Sequence, residues 1–265
     1  MREAMIWAAA GTGFTFLMTT LGSAMVFLFR RRTGAKMQRI LLGFAAGVMV
    51  AASVWSLLLP AIEQAEEQGM PGWLPAAGGM LLGIFFIMAL DYLLPHLHPG
   101  EKKAEGLPSD WRRSTLMMLA VTLHNIPEGM AVGLSFALAA QEGAGNAAFY
   151  TSALALALGI GIQNFPEGAA ISLPLRQEGM SAGKAFLRGS ISGIVEPLFG
   201  IFTVLIAGGL ASLMPWLLSF AAGAMLYVVV EELIPAAHLG EHSNIGTLGA
   251  MAGFLVMMIL DVALG

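Results

Sequence analysis

Eight stretches of about 20 mainly apolar residues run through this sequence, and each is long enough to cross a bilayer as a helix. Because 57% of the residues are hydrophobic and 11% are charged, against roughly a quarter in soluble domains, we exclude a water-soluble fold. The sequence predicts an all-α membrane protein with one transmembrane domain over residues 1–265. The predicted spans are Met5 to Phe29, Ile40 to Ile62, Trp73 to Leu94, Thr115 to Ala139, Ala147 to Leu173, Gly189 to Leu210, Met214 to Ile234, and Ile245 to Leu264.

The basic residues predict how these spans are oriented. Of 13 lysines and arginines, all but Arg2 fall after span 1, between spans 3 and 4, or between spans 5 and 6. If eight helices alternate in direction, the positive-inside rule places these segments in the cytoplasm. Both termini then lie outside, and the loop over residues 95–114 is cytoplasmic. We expect a multi-pass protein of the plasma membrane, and specifically of the inner membrane of a bacterium. The twelve residues are Arg30, Arg31, Arg32, Lys36, Arg39, Lys102, Lys103, Arg112, Arg113, Arg176, Lys184 and Arg188.

Two segments near the end of the chain resemble two segments near its start. Paired spans are five apart in the alternating order and therefore cross in opposite directions, as in the inverted repeats of secondary transporters. The predicted arrangement is 3+2+3, with helices 1–3 and 6–8 as repeats around a central hairpin of helices 4 and 5. Chance similarity between Ala/Gly-rich helices is the alternative. The matching residues are Phe44 to Gly47 with Pro60, Phe220 to Gly223 with Pro235, Gly83 with Asp91, and Gly253 with Asp261.

The central pair of spans carries a shared polar motif. Span 4 contains His124-Asn125-Ile126-Pro127-Glu128-Gly129, and span 5 contains Gln163-Asn164-Phe165-Pro166-Glu167-Gly168. On a helix, residues three and four apart share a face. In each copy, one carboxylate therefore lies beside two neutral polar side chains. Proline lacks the N–H that would bond to the carbonyl four residues earlier, which exposes polar backbone beside these groups.

Three glutamates, Glu128, Glu167 and Glu196, fall near the middle of predicted spans. Each costs about 2.5 to 3.5 kcal/mol there, and no lysine or arginine lies at their depth. Protons, bound cations, water or hydrogen bonds must compensate. Either motif alone also fits a helix–helix hydrogen bond, but the repetition favours a cation site. The chain has no cysteine, and His, Glu, Asn and Gln suit Zn²⁺, Fe²⁺, Mn²⁺ or Cd²⁺ rather than Cu⁺.

The alternative of an intramembrane hydrolase that uses a metal or a serine lacks its motifs, and the sequence has no ATP-binding motif. There is no H-E-x-x-H and no G-x-x-x-x-G-K-[ST], and Ser135 lacks the second glycine of G-x-S-x-G. We therefore predict that the chain is not an enzyme. The alternative to a metal site is a proton-coupled carrier of another solute, in which the carboxylates relay protons.

HNxPEG in span 4 and QNxPEG in span 5 resemble the ZIP (Zrt-, Irt-like protein) family of divalent metal transporters, and most of all its GufA-like branch. The resemblance covers essentially the whole chain. It implies a homodimer with the 3+2+3 fold. The implied function is transport of divalent metal ions into the cytoplasm, with zinc as the main substrate and iron, manganese and cadmium as further substrates. The implied route is a binuclear site at mid-membrane. The implied partners are divalent ions, the lipid bilayer and a second copy of the chain, with no cofactor besides the transported metal and no nucleic acid.

The resemblance also implies a ligand set. One ion would bind His124, Glu128, Gln163 and Glu167, with Met49 nearby. The other would bind Asn125, Glu128, Asn164, Glu167 and Glu196. Some relatives have an acidic residue where this chain has Asn164, so the second half of the site carries one negative charge less. We interpret Asp91, Glu231, Glu232 and His238 as an exit path on the cytoplasmic side, against the alternative of solvated interfacial residues.

Overall fold

The computed structural model describes residues 2–28, 35–97, 104–111, 113–141, 147–177, 179–207, 211–237 and 244–264. Within these ranges the secondary structure is helical, apart from an isolated antiparallel bridge between His96 and Glu105. Eight long helices follow the order of the predicted spans, and a short 3₁₀ turn, Ala211–Leu213, precedes the seventh. They are α1 (Arg2–Ser23, continued by Met25–Leu28), α2 (Ala35–Ala52, Ser53–Leu58 and Leu59–Glu67), α3 (Trp73–Leu93), α4 (Arg113–Gln141), α5 (Ala147–Gln177), α6 (Ala182–Ser192, continued by Val195–Ala207), α7 (Met214–Val228, Val229–Leu233 and Ile234–Ala237) and α8 (Ile245–Leu264).

Seven of these helices, all but α4, are long and apolar enough to cross a membrane. Helix α4 has 29 residues, which is ample length, but His124, Asn125 and Glu128 near its middle lower its mean hydropathy. The prediction of an all-α, multi-pass membrane protein is confirmed. The eighth crossing, by α4, stays a prediction.

Helices α2 and α7 each contain a π-helical segment just before a proline. In α2 the segment is Ser53–Leu58, before Pro60, and in α7 it is Val229–Leu233, before Pro235. A proline ring crowds the carbonyl four residues earlier, and a widened turn relieves that crowding. The two helices that the sequence paired as repeats therefore share a local distortion.

The most extensive helix contacts occur in pairs. Helix α2 packs against α8, and α3 packs against α7; likewise α1 packs against α5, and α4 packs against α6. Exchanging α2 with α7 and α3 with α8 turns the first contact into the second. Exchanging α1 with α6 and α4 with α5 does the same for the other two. An inverted repeat requires reciprocal contacts of this form.

Glycines bring these paired helices together at backbone distance. Gly83 of α3 lies against the carbonyl oxygen of Phe220 in α7, and Gly253 of α8 lies against the carbonyl oxygen of Phe44 in α2. A Cβ atom at either position would overlap that oxygen. Small residues allow the close approach that replaces the hydrophobic effect as a packing force inside a membrane.

Candidate metal-binding site

Helices α4 and α5 carry the two polar motifs side by side in the interior. Pro127 and Pro166 each lie inside their helix, and α4 and α5 contact each other. Seven polar residues converge from α4, α5 and α6, and each residue as a whole is at most 7% exposed. Their burial matches the sequence interpretation that these groups are withdrawn from solvent. They are His124, Asn125, Glu128, Gln163, Asn164, Glu167 and Glu196.

Side-chain amides of α5 link the glutamates of α4 and α6. Gln163 Nε2 donates to Glu128 Oε1 at 2.5 Å and to Asn164 Oδ1 at 3.0 Å. Asn164 Nδ2 donates to Glu196 Oε2 at 2.8 Å. The second copy of the motif thus bridges the two carboxylates that flank it.

Four oxygen atoms at the centre have no hydrogen-bond partner in the described part of the chain. They are buried acceptors, and an unpaired buried acceptor costs about 1 to 3 kcal/mol. All of them belong to predicted ligands. The four atoms are Asn125 Oδ1, Glu128 Oε2, Gln163 Oε1 and Glu167 Oε1.

The electrostatics of the site are one-sided. The Glu128 carboxyl group interacts repulsively with Glu167 and Glu196. The donors to these carboxylates are amides and hydroxyls, and neither lysine nor arginine contacts them among the described residues. Buried like charges without a lysine or arginine counter-charge favour the binding of a dication, as in other oxygen-rich and nitrogen-rich metal sites.

Comparison with known proteins decides the family. The model of the ZIP zinc transporter family matches residues 3–113 and 110–261. The chain belongs to the ZIP family. The resemblance based on HNxPEG is therefore confirmed.

Several relatives of this ZIP protein are similar over nearly their whole length. The zinc transporter GufA of Myxococcus xanthus is 40% identical, over 93% of this chain and 94% of that protein. The zinc transporter ZIPB of Bordetella bronchiseptica is 41% identical, over 98% and 82%. The human zinc transporter ZIP11 is 39% identical, over 97% of both chains. These relatives are named as transporters rather than enzymes, in agreement with the sequence.

Met49 packs among apolar residues in the interior of this ZIP protein. It lies on α2, is 1% exposed, and belongs to the largest apolar cluster. Its carbonyl oxygen accepts a hydrogen bond from Ser53 Oγ at 2.7 Å. The hydrogen bonds that join the other predicted ligands do not reach its side chain within the described ranges.

Glu232 lies closer to the site than the sequence indicated. Its carboxylate contacts Nε2 of His124, so a residue interpreted as part of the exit path touches a predicted ligand. The π-helical segment of α7 contains Glu232. Glu231, its neighbour, is exposed. His238 lies outside the described residues.

Asp91 belongs to a separate group at the end of α3. Its Oδ1 lies 2.9 Å from Nε2 of His96, and Glu105 completes a trio whose ligand atoms lie within 4.8 Å of one another. Nδ1 of His96 lies 2.8 Å from the carbonyl oxygen of Leu94, which orients the ring. Such a group can hold a cation, so the ligands of the predicted exit path are split between two places.

Sequence reasoning missed Thr19 of α1. Its hydroxyl donates to Glu196 Oε1 at 3.2 Å. Thr12, Thr15 and Thr19 recur at helical spacing on the buried side of α1, and this pattern was the available signal. Threonine is common in membrane helices, however, and no spacing rule names its partner.

Proposed function

We propose that this ZIP protein transports divalent metal cations across the membrane, with zinc as the leading substrate. The observation that carries the proposal is the group of buried oxygens of Glu128, Gln163 and Glu167 that have no hydrogen-bond partner and no lysine or arginine counter-charge among the described residues. Similar proteins named zinc transporters support zinc as the substrate. Iron, manganese and cadmium are further candidates, because oxygen and imidazole ligands also bind these ions. The metal is cargo, and no other cofactor is needed.

We propose a binuclear site. The first half comprises His124, Glu128, Gln163 and Glu167, with Met49 nearby. The second half comprises Asn125, Asn164 and Glu196 together with the two shared carboxylates. The hydrogen bonds from Gln163 to Glu128 and from Asn164 to Glu196 support this division, because each half contains one amide–carboxylate pair.

We propose that α4 is an eighth transmembrane helix and that the fold is a 3+2+3 inverted repeat in one transporter domain. The reciprocal packing of α2 on α8 and α3 on α7 supports it. So do the matched π-helical segments. The basic residues of three connecting segments support outward termini and a cytoplasmic loop over residues 95–114. We assign the protein to the bacterial inner membrane, as a homodimer, following the family resemblance.

Ions are proposed to enter from outside and to leave towards the cytoplasm. Glu232 supports this route because it touches His124 at the site. Asp91, with His96 and Glu105, offers a further group of ligands at the end of α3. Glu231 and His238 are assigned to the same path. The alternative of a proton-coupled carrier for another solute is not favoured, because the relatives are named zinc transporters.

Zinc should stabilise the purified protein. A ligand that binds only the folded state contributes about 2.7 kcal/mol at 100 times its Kd. We expect Tm to rise with zinc concentration in the wild type but not in Glu128→Ala, measured by thermal unfolding in lipid nanodiscs. Calcium at equal concentration is the control. A wild type without metal by elemental analysis, and with no zinc-dependent shift, would contradict the proposed function.

A further inference from the structure

Glu196 differs from the other two buried glutamates of the site. Both of its carboxyl oxygens already have donors: Asn164 Nδ2 lies 2.8 Å from Oε2, and Thr19 Oγ1 lies 3.2 Å from Oε1. By contrast, Glu128 Oε2 and Glu167 Oε1 are buried without a hydrogen-bond partner in the part of the chain that the structure describes. Thr15 of α1 also hydrogen-bonds the Glu196 carboxyl group. Glu196 is therefore held in one orientation by neutral donors from two helices, α1 and α5.

The hydroxyl of Thr19 is placed differently from that of Thr12 on the same helix. Thr12 donates to the carbonyl oxygen of Ala8 in its own helix at 2.7 Å, a short and satisfied bond. Thr19 Oγ1 lies 3.2 Å from the carbonyl oxygen of Thr15, the same distance as from the Glu196 carboxylate. A hydrogen bond to an ionised carboxylate is the stronger of the two. When Glu196 is ionised, as a metal ligand is, its carboxylate is therefore the favoured acceptor.

Thr19 occupies a position on α1 that is equivalent to the position of Glu196 on α6. Gly129 of the α4 motif lies against the backbone of Glu196, and Gly168 of the α5 motif lies against the backbone of Thr19. The two motif glycines occupy the same motif position. Thr19 therefore stands on α1 where Glu196 stands on α6, in the packing pairs α1 with α5 and α6 with α4.

Gly193 leaves the space in which these two side chains meet. A Cβ atom at this position would lie 3.0 Å from Glu196 Oε1 and 3.1 Å from Thr19 Cβ. Helix α6 is also interrupted between Ser192 and Val195. Glu196 therefore lies in the first turn of the second segment, beside α1.

We propose that Thr19 is a positioning residue for Glu196 and sets the affinity of the second half of the site for its divalent cation. This inference rests on the proposed binuclear site. When the second ion binds, it displaces the Asn164 amide from Oε2, while Thr19 keeps its hydrogen bond to Oε1. The carboxylate then presents Oε2 to the ion without first having to turn.

Loss of the Thr19 hydroxyl should weaken the binding of the second ion and leave the binding of the first unchanged. Loss of a side chain that hydrogen-bonds a metal ligand and orients it typically lowers the affinity for the metal by about 10-fold to 100-fold. Valine keeps the branched shape of threonine and removes the donor. The first ion does not use Glu196, so its affinity should not change.

The test is a zinc titration by isothermal calorimetry of the full-length chain in nanodiscs. In Thr19→Val the Kd of the second ion should rise by about 10-fold to 100-fold, with that of the first unchanged. Thr19→Ser should restore the second Kd, because serine retains the hydroxyl. Thr12→Val, which removes a hydroxyl bonded within its own helix, should leave both constants unchanged.

The outcomes separate this inference from the proposed function. Two ions in the wild type and unchanged constants in Thr19→Val would overturn the role of Thr19 and leave the binuclear site standing. Equal weakening by Thr19→Ser and Thr19→Val would also overturn it, because a role in packing alone would then explain the loss. A single ion in the wild type would overturn both.

Discussion

Replacing Glu128 with alanine is expected to abolish zinc uptake, with a loss of about 100-fold or more. Loss of a residue that only orients a metal ligand lowers affinity or activity by up to about 100-fold, and loss of a direct ligand should have a larger effect. Glu128 is 1% exposed. One of its oxygens accepts a hydrogen bond from Gln163, and the other has no partner among the described residues. It is also one of the two carboxylates that both halves of the proposed site share. Removing it takes a negative charge and two ligand atoms from both ions at once.

The measurement is ⁶⁵Zn uptake into proteoliposomes that contain equal amounts of folded protein. Glu67→Ala is the matched control, since Glu67 is exposed at the end of α2 and should retain most uptake. Glu128→Gln keeps the volume of the side chain and tests charge alone. Uptake at the wild-type rate in Glu128→Ala, with a folded protein confirmed by gel filtration, would refute the site assignment.

Replacing Gly83 with alanine is expected to destabilise the fold by about 1 to 3 kcal/mol, in the range of overpacked cores. The added Cβ atom would overlap the carbonyl oxygen of Phe220, and a helix backbone cannot yield locally as a flexible side chain can. Helices α3 and α7 would have to separate. Gly253→Ala should cost about as much, because Gly253 meets the carbonyl oxygen of Phe44 in the same way.

The matched control is Gly13→Ala in α1. No atom lies within 4 Å of a Cβ atom at Gly13, and alanine is the better helix former by about 0.5 to 1 kcal/mol. Thermal unfolding in nanodiscs should therefore give shifts of opposite sign for Gly83→Ala and Gly13→Ala. If Gly83→Ala and Gly253→Ala both unfolded at the same temperature as the wild type, the inferred close backbone contact between the paired helices would be refuted.

The fold class and the motif residues were within reach of the sequence because their signals are local. Long apolar stretches predict helices in lipid whatever their neighbours are. The spacing of Asn125 and Glu128, repeated at Asn164 and Glu167, predicts one polar face on each of two helices. The structure buries these four residues together.

The partners of those residues were out of reach because they come from distant parts of the chain. Glu232 was predicted on the cytoplasmic side, yet it touches His124, since α7 carries it to α4 across 108 residues of sequence. Thr19 meets Glu196 across 177 residues. Local periodicity contains no information about such contacts.

By itself, the sequence determined that this chain is a bundle of membrane helices with carboxylates in its interior, because hydropathy and helical spacing act along one segment at a time. The tertiary structure alone decided which oxygens of those carboxylates accept hydrogen bonds and which have no partner among the described residues. Helix packing sets the distances between side chains of different segments, and here glycines such as Gly129 and Gly168 let the backbones approach closely enough for those side chains to meet.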